Sequence, residues 1–254
     1  MQERFQPIAV TSPCQHPWLF KLRCLVDVQL GSIVKHLRPA LSRLRGRVLD
    51  VGAGESPWRD WLPRGTTYQG IDIGNAADFG MSGGRNDIKY YDGTRIPFDD
   101  AEFDSAICIE VLEHAQNPEL LLREIARVLK EQGVLLLTVP WSARRHHIPY
   151  DYHRFTRERL QILIGEVGFG DIQIIERGSD IGVIANKLTV LTARLIKPAS
   201  ARSLLWTAPL AVVCALLAVM FLIAAHCADP LGKGSVEDPL GYFVSAVRRR
   251  HGPA

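Results

Sequence analysis

Cysteine is scarce in this 254-residue sequence. Cys14, Cys24, Cys108, Cys214 and Cys227 are odd in number, widely spread and form no CxxC pair. Neither a disulfide framework nor a cysteine-based zinc site is indicated, and a reducing compartment is expected. A dominant charge of one sign is also missing. The formal net charge of +3 is too small to point to nucleic acid, so no nucleic-acid partner is expected. The stretch MQERFQPIAV has no basic flank followed by an apolar core, which argues against a secretory signal there. Hydrophobic residues at 47% and charged residues at 22% are ordinary for a globular protein. The length suits one sizeable α/β domain with added elements.

What the sequence does have is alternation. Apolar residues at helical spacing between about Trp18 and Leu44 predict one or two leading helices. VLDVG then reads as a first strand, Trp58 to Leu62 as a short helix, Tyr68 to Gly74 as a second strand and IKYYDG, ending at Asp92, as a third. A fourth runs from Phe103 to about Val111. Pro118 opens an amphipathic helix through Leu129, closed by Gly133, and VLLLTVP is a fifth strand of the doubly buried kind. This pattern predicts a doubly wound, Rossmann-like α/β fold around a mostly parallel sheet of about seven strands. The expected divisions are an N-terminal helical segment (1–45), a ligand-binding domain (46–180), a hydrophobic helical segment (181–228) and a C-terminal strand with a basic tail (229–254).

The turn after the first strand, RVLDVGAGESPW, lacks one thing. A dinucleotide fingerprint needs a third glycine three positions after Gly54, and Pro57 stands there. An NAD-dependent oxidoreductase is therefore disfavoured. Gly52 and Gly54 still let the backbone approach a ligand, at which the amides of a following helix are expected to point. Asp50, just before the turn, would repel a pyrophosphate and suit a cationic ligand without phosphate, such as S-adenosylmethionine. Ligands of such sheets bind beyond the carboxyl ends of the strands. Asp50, Asp72, Asp92 and Glu110 stand at or beside four consecutive ends. Each also has a plainer reading: Asp72 as a turn residue, Asp92 as a DG turn former, Glu110 as a solvated helix cap.

The segments VLDVGAGESP, GIDIG, DGTRIPFDDAEFDSAICIEVLEH and PELLLREIARVLKEQGVLLLTVP, spanning roughly Gly46 to Pro140, resemble the class I S-adenosylmethionine-dependent methyltransferases, in particular the small-molecule group. The resemblance implies that Asp50, Gly52 and Gly54 pass the methionine portion of the cofactor. It implies that Asp72 takes the ribose hydroxyls, that Asp92 with Gly93 holds the adenine amino group, and that Glu110, with His114 nearby, lines the methyl-donor pocket. Ser56 departs from a frequent glycine, and the glycine-rich spacer between Gly74 and Lys89 is atypical. A non-catalytic protein that only binds the cofactor stays open as the alternative.

After the fifth strand comes PWSARRHHIPYDYHRFT, Pro140 to Thr156. It leaves the sheet above the expected cofactor, where substrate-bearing loops sit. His146, His147 and His153 are candidate bases for a hydroxyl acceptor, with His147 and His153 preferred as catalytic, and Tyr150 and Arg154 are candidate acceptor contacts. Alternatively, DYHRF docks the loop and Thr156 caps the next helix. No metal is expected, because His146, His147 and His153 lack a carboxylate or cysteine at a familiar spacing.

Long hydrophobic runs are absent except for one. Between Arg202 and Asp229 there is no Asp, Glu, Lys or Arg, enough to cross a bilayer. Arg194, Lys197 and Arg202 would keep the preceding domain on the cytoplasmic side. Yet Tyr242 to Val247 reads as a last strand, antiparallel beside the fifth, and the basic Arg248 to His251 cluster also resists export. The expectation is a segment through 203–227 that enters or lies on the membrane and returns, at its cytoplasmic face. A helix buried in a homodimer of a cytoplasmic protein, or a plain single crossing, are the other readings. The expected acceptor is a small or lipid-linked molecule, with oxygen preferred as the methylated atom.

Overall fold

The computed structural model describes residues 8–74, 85–197 and 201–250. The glycine-rich spacer at 75–84 and His251 of the basic cluster lie outside these residues. Helices α1 (Pro17–Val26) and α2 (Val28–Leu41) precede strands β1 (Arg47–Val51), β2 (Thr67–Ile73), β3 (Ile88–Tyr91) and β4 (Phe103–Ile109). Helix α3 (Pro118–Val128) leads into β5 (Leu129–Pro140), α4 (Arg157–Glu166) into β6 (Phe169–Arg177), and helices α5 (Asp180–Ile196) and α6 (Leu204–Ala228) precede β7 (Gly241–Arg248). The strands form one sheet in the order β3-β2-β1-β4-β5-β7-β6. Strands β1 to β5 pair in parallel, and β7 inserts antiparallel between β5 and β6.

Period-two alternation sorts the strand side chains onto two faces. Leu49, Val51, Ala106, Cys108, Leu135, Leu137 and Val244 pack on the face covered by α3 and α4. Val48, Ile107, Leu136 and Phe243 face α2, meeting Leu30, Ile33, Leu37 and Leu41. Helix α3 starts where the sequence marks it. Pro118 fits the first turn, and the Asn117 side chain accepts a hydrogen bond from the Leu120 amide at 3.0 Å.

Two local expectations are corrected. No α-helix follows the glycine turn, only a single 3-10 turn at Arg59–Trp61. Pro63 forces Leu62 into an extended conformation (φ −69°, ψ 143°) and ends the turn there. Nor does Gly133 close α3. The chain is already extended at Leu129 (φ −75°, ψ 142°), where the sheet ladder pairs it with Phe103, so Gly133 lies inside β5.

The apolar run is the helix α6. It is the one described helix long and apolar enough to cross a membrane, counted to Leu231 with a mean hydropathy of 2.7. It packs against α5, and the His226 ring contacts the Leu25 carbonyl at the end of α1 at 2.7 Å. Elsewhere its side chains are largely exposed, Leu205 and Trp206 at 78% and 85%.

Candidate active site

A cavity of about 1620 Å³ opens at the carboxyl ends of β1 to β4. The strand crossovers place the loops after β1, β2, β3 and β4 side by side there, as expected for a doubly wound sheet. Asp50, Gly52, Gly54, Asp72, Asp92, Gly93, Glu110, His147 and Tyr150 all line it.

The glycine turn is pinned to β2. The amides of Gly52 and Ala53 both donate to the Ile71 carbonyl, at 2.9 and 3.0 Å. Gly52 adopts φ +69°, and a Cβ there would stand 2.4 Å from Val111 Cγ2. Only glycine satisfies both the turn and that contact. The Gly54 amide donates to Asp72 Oδ2 at 2.8 Å, and the Ile73 amide donates to Asp72 Oδ1 at 2.8 Å. Burial raises the Asp72 pKa while these two bonds oppose the rise. Its carboxylate is thus held rigidly by two donors and keeps acceptor capacity for a pair of hydroxyls. Asp50, 2% exposed, accepts from the Tyr68 hydroxyl at 2.7 Å. Burial pushes its pKa up to about 7, against the opposing bond from Tyr68.

Asp92 is a turn former and also lines the cavity. Its Oδ1 accepts from the amide and hydroxyl of Thr94, at 2.9 and 2.7 Å, which forms a side-chain turn, and it stays exposed at the cavity. Those bonds hold its carboxyl below the usual range.

Glu110 has a partner not visible in the sequence. At φ +54° it turns its Oε1 to Arg177 Nη2 at 2.8 Å. Arg177, fully buried at the end of β6, also donates to the carbonyls of Val139 and Tyr242, at 3.0 and 3.2 Å. It ties the ends of β4, β5, β6 and β7 together. The local sequence ERGSD carries no signal that marks this arginine as buried. Only the antiparallel insertion of β7 encloses it.

The loop from Pro140 to Thr156 folds over the 3-10 turn Leu112–His114. The amides of Tyr152 and His153 donate to the Glu113 carbonyl at 2.9 and 3.2 Å. His114 Nδ1 meets the Tyr150 carbonyl at 2.7 Å. Burial lowers the His114 pKa to about 4, so its ring is neutral at pH 7. Its ring centroid lies 4.8 Å from that of His146 and 5.3 Å from that of His147. Beneath them Glu113 is fully buried, and burial raises its pKa well above the ordinary value.

The placement narrows the expectations for this loop. His153 does not line the cavity: its Nε2 contacts the Ala115 carbonyl at 3.1 Å, and its ring stacks on Phe155. Arg154 is likewise off the wall. Its Nη1 and Nη2 grip Asp151 at 2.6 and 2.8 Å, so it closes the loop rather than facing an acceptor. Although burial opposes it, bonds from His146 and Arg154 hold the Asp151 carboxyl well below the usual range. The histidines that gather are 114, 146 and 147, not the set 146, 147 and 153 weighed from the sequence.

The far wall of the cavity is apolar. Leu19, Leu22 and Val26 of α1 face Val190 and Leu191 of α5, with Lys187 and Arg194 alongside.

A family model described as a methyltransferase domain matches residues 26–189. The chain is 30% identical over 132 residues to an uncharacterized methyltransferase, YcgJ, of Bacillus subtilis (strain 168), a match covering 48% of each chain. It is 34% identical over 115 residues to a ubiquinone biosynthesis O-methyltransferase of Paracidovorax citrulli (strain AAC00-1), covering 41% of this chain and 48% of that one. The chain thus spans about half the length of the curated relatives it matches. In fold it is similar to a SAM-dependent methyltransferase from Archaeoglobus fulgidus, at a TM-score of 0.52 and 16% identity, over 92% of this chain and 100% of that one.

Proposed function

The chain belongs to the methyltransferase domain family, and from that premise we propose that it transfers the methyl group of S-adenosylmethionine to a hydroxyl of an amphipathic, lipid-like acceptor at a membrane surface. The observation that carries the cofactor assignment is Asp72, a half-buried carboxylate fixed by the Gly54 and Ile73 amides at the tip of β2. A carboxylate so placed fits a pair of ribose hydroxyls. Asp50 beside the glycine turn adds a second acid, which suits a cationic ligand and not a pyrophosphate. When bound, S-adenosylmethionine supplies an electrophilic methyl group on a sulfonium.

The protein's own work is to position and to handle one proton. Holding the acceptor oxygen in line behind the methyl carbon can supply up to about 7–11 kcal/mol of the barrier reduction. The acceptor hydroxyl loses its proton at the cluster of His114, His146 and His147, of which the first is neutral at pH 7. Tyr150, on the same wall, contacts the acceptor. His153 and Arg154 brace the loop from behind.

A lipid-like acceptor is supported by the apolar wall between α1 and α5 and by its surroundings. Trp18, Leu22 and Leu25 on α1 are 67%, 52% and 54% exposed. His226 joins the end of α6 to α1, which places this apolar surface next to the exposed helix α6. Because α6 leaves the domain after α5 and β7 returns to the sheet, α5 and α6 act as a hairpin that lies along the cytoplasmic leaflet. Arg194 and Lys197 then sit at the level of anionic headgroups.

Two measurements test this reading. Asp72→Ala should weaken binding of S-adenosylmethionine at least about tenfold by calorimetry, since one charged hydrogen bond is worth about 1.5–3 kcal/mol. An unchanged dissociation constant would refute the cofactor assignment. Methyl-labelled cofactor incubated with the protein and separate lipid and water-soluble fractions should label the lipid fraction. Label confined to the aqueous fraction would refute the acceptor class.

A further inference from the structure

We propose that His114, His146 and His147, with the Glu113 carboxylate behind them, form a binding site for one divalent transition cation of the zinc class on the wall of the acceptor cavity. The ligand atoms of the three histidines lie within 4.8 Å of one another. Zinc–nitrogen bonds of about 2.05 Å place tetrahedral ligands about 3.3 Å apart, so small ring rotations close the set.

Two of the three rings are already oriented by their outer nitrogens. A carbonyl only accepts, so His114 Nδ1 must donate to the Tyr150 carbonyl, which puts the lone pair of this neutral ring on Nε2. His146 Nδ1 faces the Arg144 carbonyl at 3.1 Å and Asp151 Oδ2 at 3.5 Å, which again leaves Nε2. A metal-bound imidazole whose other nitrogen donates to a carbonyl or carboxylate is the usual outer support of such sites.

Glu113 is the independent observation. It is fully buried, and among the described residues neither carboxylate oxygen has a hydrogen-bond partner. Its Oε1 stands 3.7 Å from His114 Nε2 and 3.9 Å from His146 Nε2, distances between neighbouring ligands. An unpartnered buried carboxylate is costly, and a divalent cation among these rings removes that cost. Three imidazoles and one carboxylate select zinc, cobalt or nickel over magnesium and calcium. The sequence concealed the set because its members come from two segments, EVLEH and RRHH, joined only by the folded loop.

The site stands on geometry alone; its use rests on the methyltransferase reading. There a cation held by His114, His146 and His147 would act as a Lewis acid and lower the pKa of the acceptor hydroxyl. In that loaded state the metal-bound imidazoles no longer accept a proton, so the hydroxyl proton would pass to solvent water in place of the histidine cluster, the oxygen–methyl bond forming as the sulfur–methyl bond breaks.

The test titrates the chelator-stripped full chain with Zn²⁺ against a chromophoric indicator, and with Co²⁺ followed by visible absorbance. One equivalent per chain is expected, with an intense low-coordinate Co²⁺ band. His146→Gln and His147→Gln should each lose at least about 100-fold in affinity, and Asp151→Asn about 10–100-fold. Circular dichroism and S-adenosylmethionine binding check that each variant is folded. No bound equivalent in the unaltered chain, or variants that bind like it, overturns the proposal. Cofactor binding without metal binding sinks this inference alone. Metal binding without cofactor binding sinks the methyltransferase reading instead.

Discussion

Removing the Glu110 carboxylate should destabilise the whole fold more than it weakens the cofactor. Glu110→Ala leaves the guanidinium of Arg177, with no exposed surface, without its anionic hydrogen-bond partner among the described residues. Breaking a buried ion pair by deleting one member costs about 3–5 kcal/mol, because the remaining charge stays desolvated. Two features reduce that here. The Glu110 side chain is 23% exposed at the cavity, so water can enter the gap. Arg177 also keeps the Val139 and Tyr242 carbonyls. A loss of about 2–3 kcal/mol is therefore expected. At about 2–4 °C per kcal/mol for a chain of this size, the melting temperature should fall by about 4–12 °C. Thermal unfolding followed by circular dichroism measures it. Arg177→Met combined with Glu110→Ala should recover much of the loss, since no stranded charge remains. An unchanged melting temperature in Glu110→Ala, together with lost cofactor binding, would show that Glu110 serves the ligand and that the pair does not hold the sheet.

The remaining predictions concern the turn, the buried acid and the apolar helix. Gly52→Ala places a methyl group 2.4 Å from Val111 at φ +69°, so cofactor binding should be lost, and Val111→Ala should restore part of it; calorimetry with both variants decides. Asp50 has a folded pKa of about 7, above its ordinary 3.8, so its contribution to stability is fully present below about pH 4 and is lost as pH rises to about 7. Relative to Asp50→Asn, the unaltered protein should lose about 1.4 kcal/mol per pH unit across that window in urea unfolding; parallel pH profiles would contradict the burial argument. Leu216→Arg and Val212→Arg, both at exposed positions of α6, should each cost about 2.5–3.5 kcal/mol of membrane insertion and release the protein from anionic vesicles in flotation. Flotation by neither the unaltered protein nor the variants, with a dimer in size-exclusion chromatography, would assign α6 to a subunit interface.

Local patterns determined most of the architecture. The strand at Val48–Val51, the Pro118 helix with its Asn117 cap and the last strand at Gly241–Arg248 are each written in a few neighbouring residues, because strand alternation, capping and apolar runs are short-range signals. The acids at strand tips were legible for the same reason: a doubly wound sheet brings those tips together whatever lies between them. Hydrophobicity alone marked α6. The tertiary structure decided which side chains share a space. Arg177 becomes a buried partner of Glu110 only when β7 inserts beside β6, over sixty residues further along the chain. His153 turns away and His114 joins His146 and His147 because the loop docks on the Glu113 carbonyl, a contact that no spacing encodes. The short helix expected at Trp58 to Leu62 is a single 3-10 turn because Pro63 ends it, and Gly133 was taken into β5 because the ladder to β4 outweighs one residue's preference. Sequence writes the elements, whose causes lie within a few residues. Distant partners of buried charge are fixed only once the chain has closed around them.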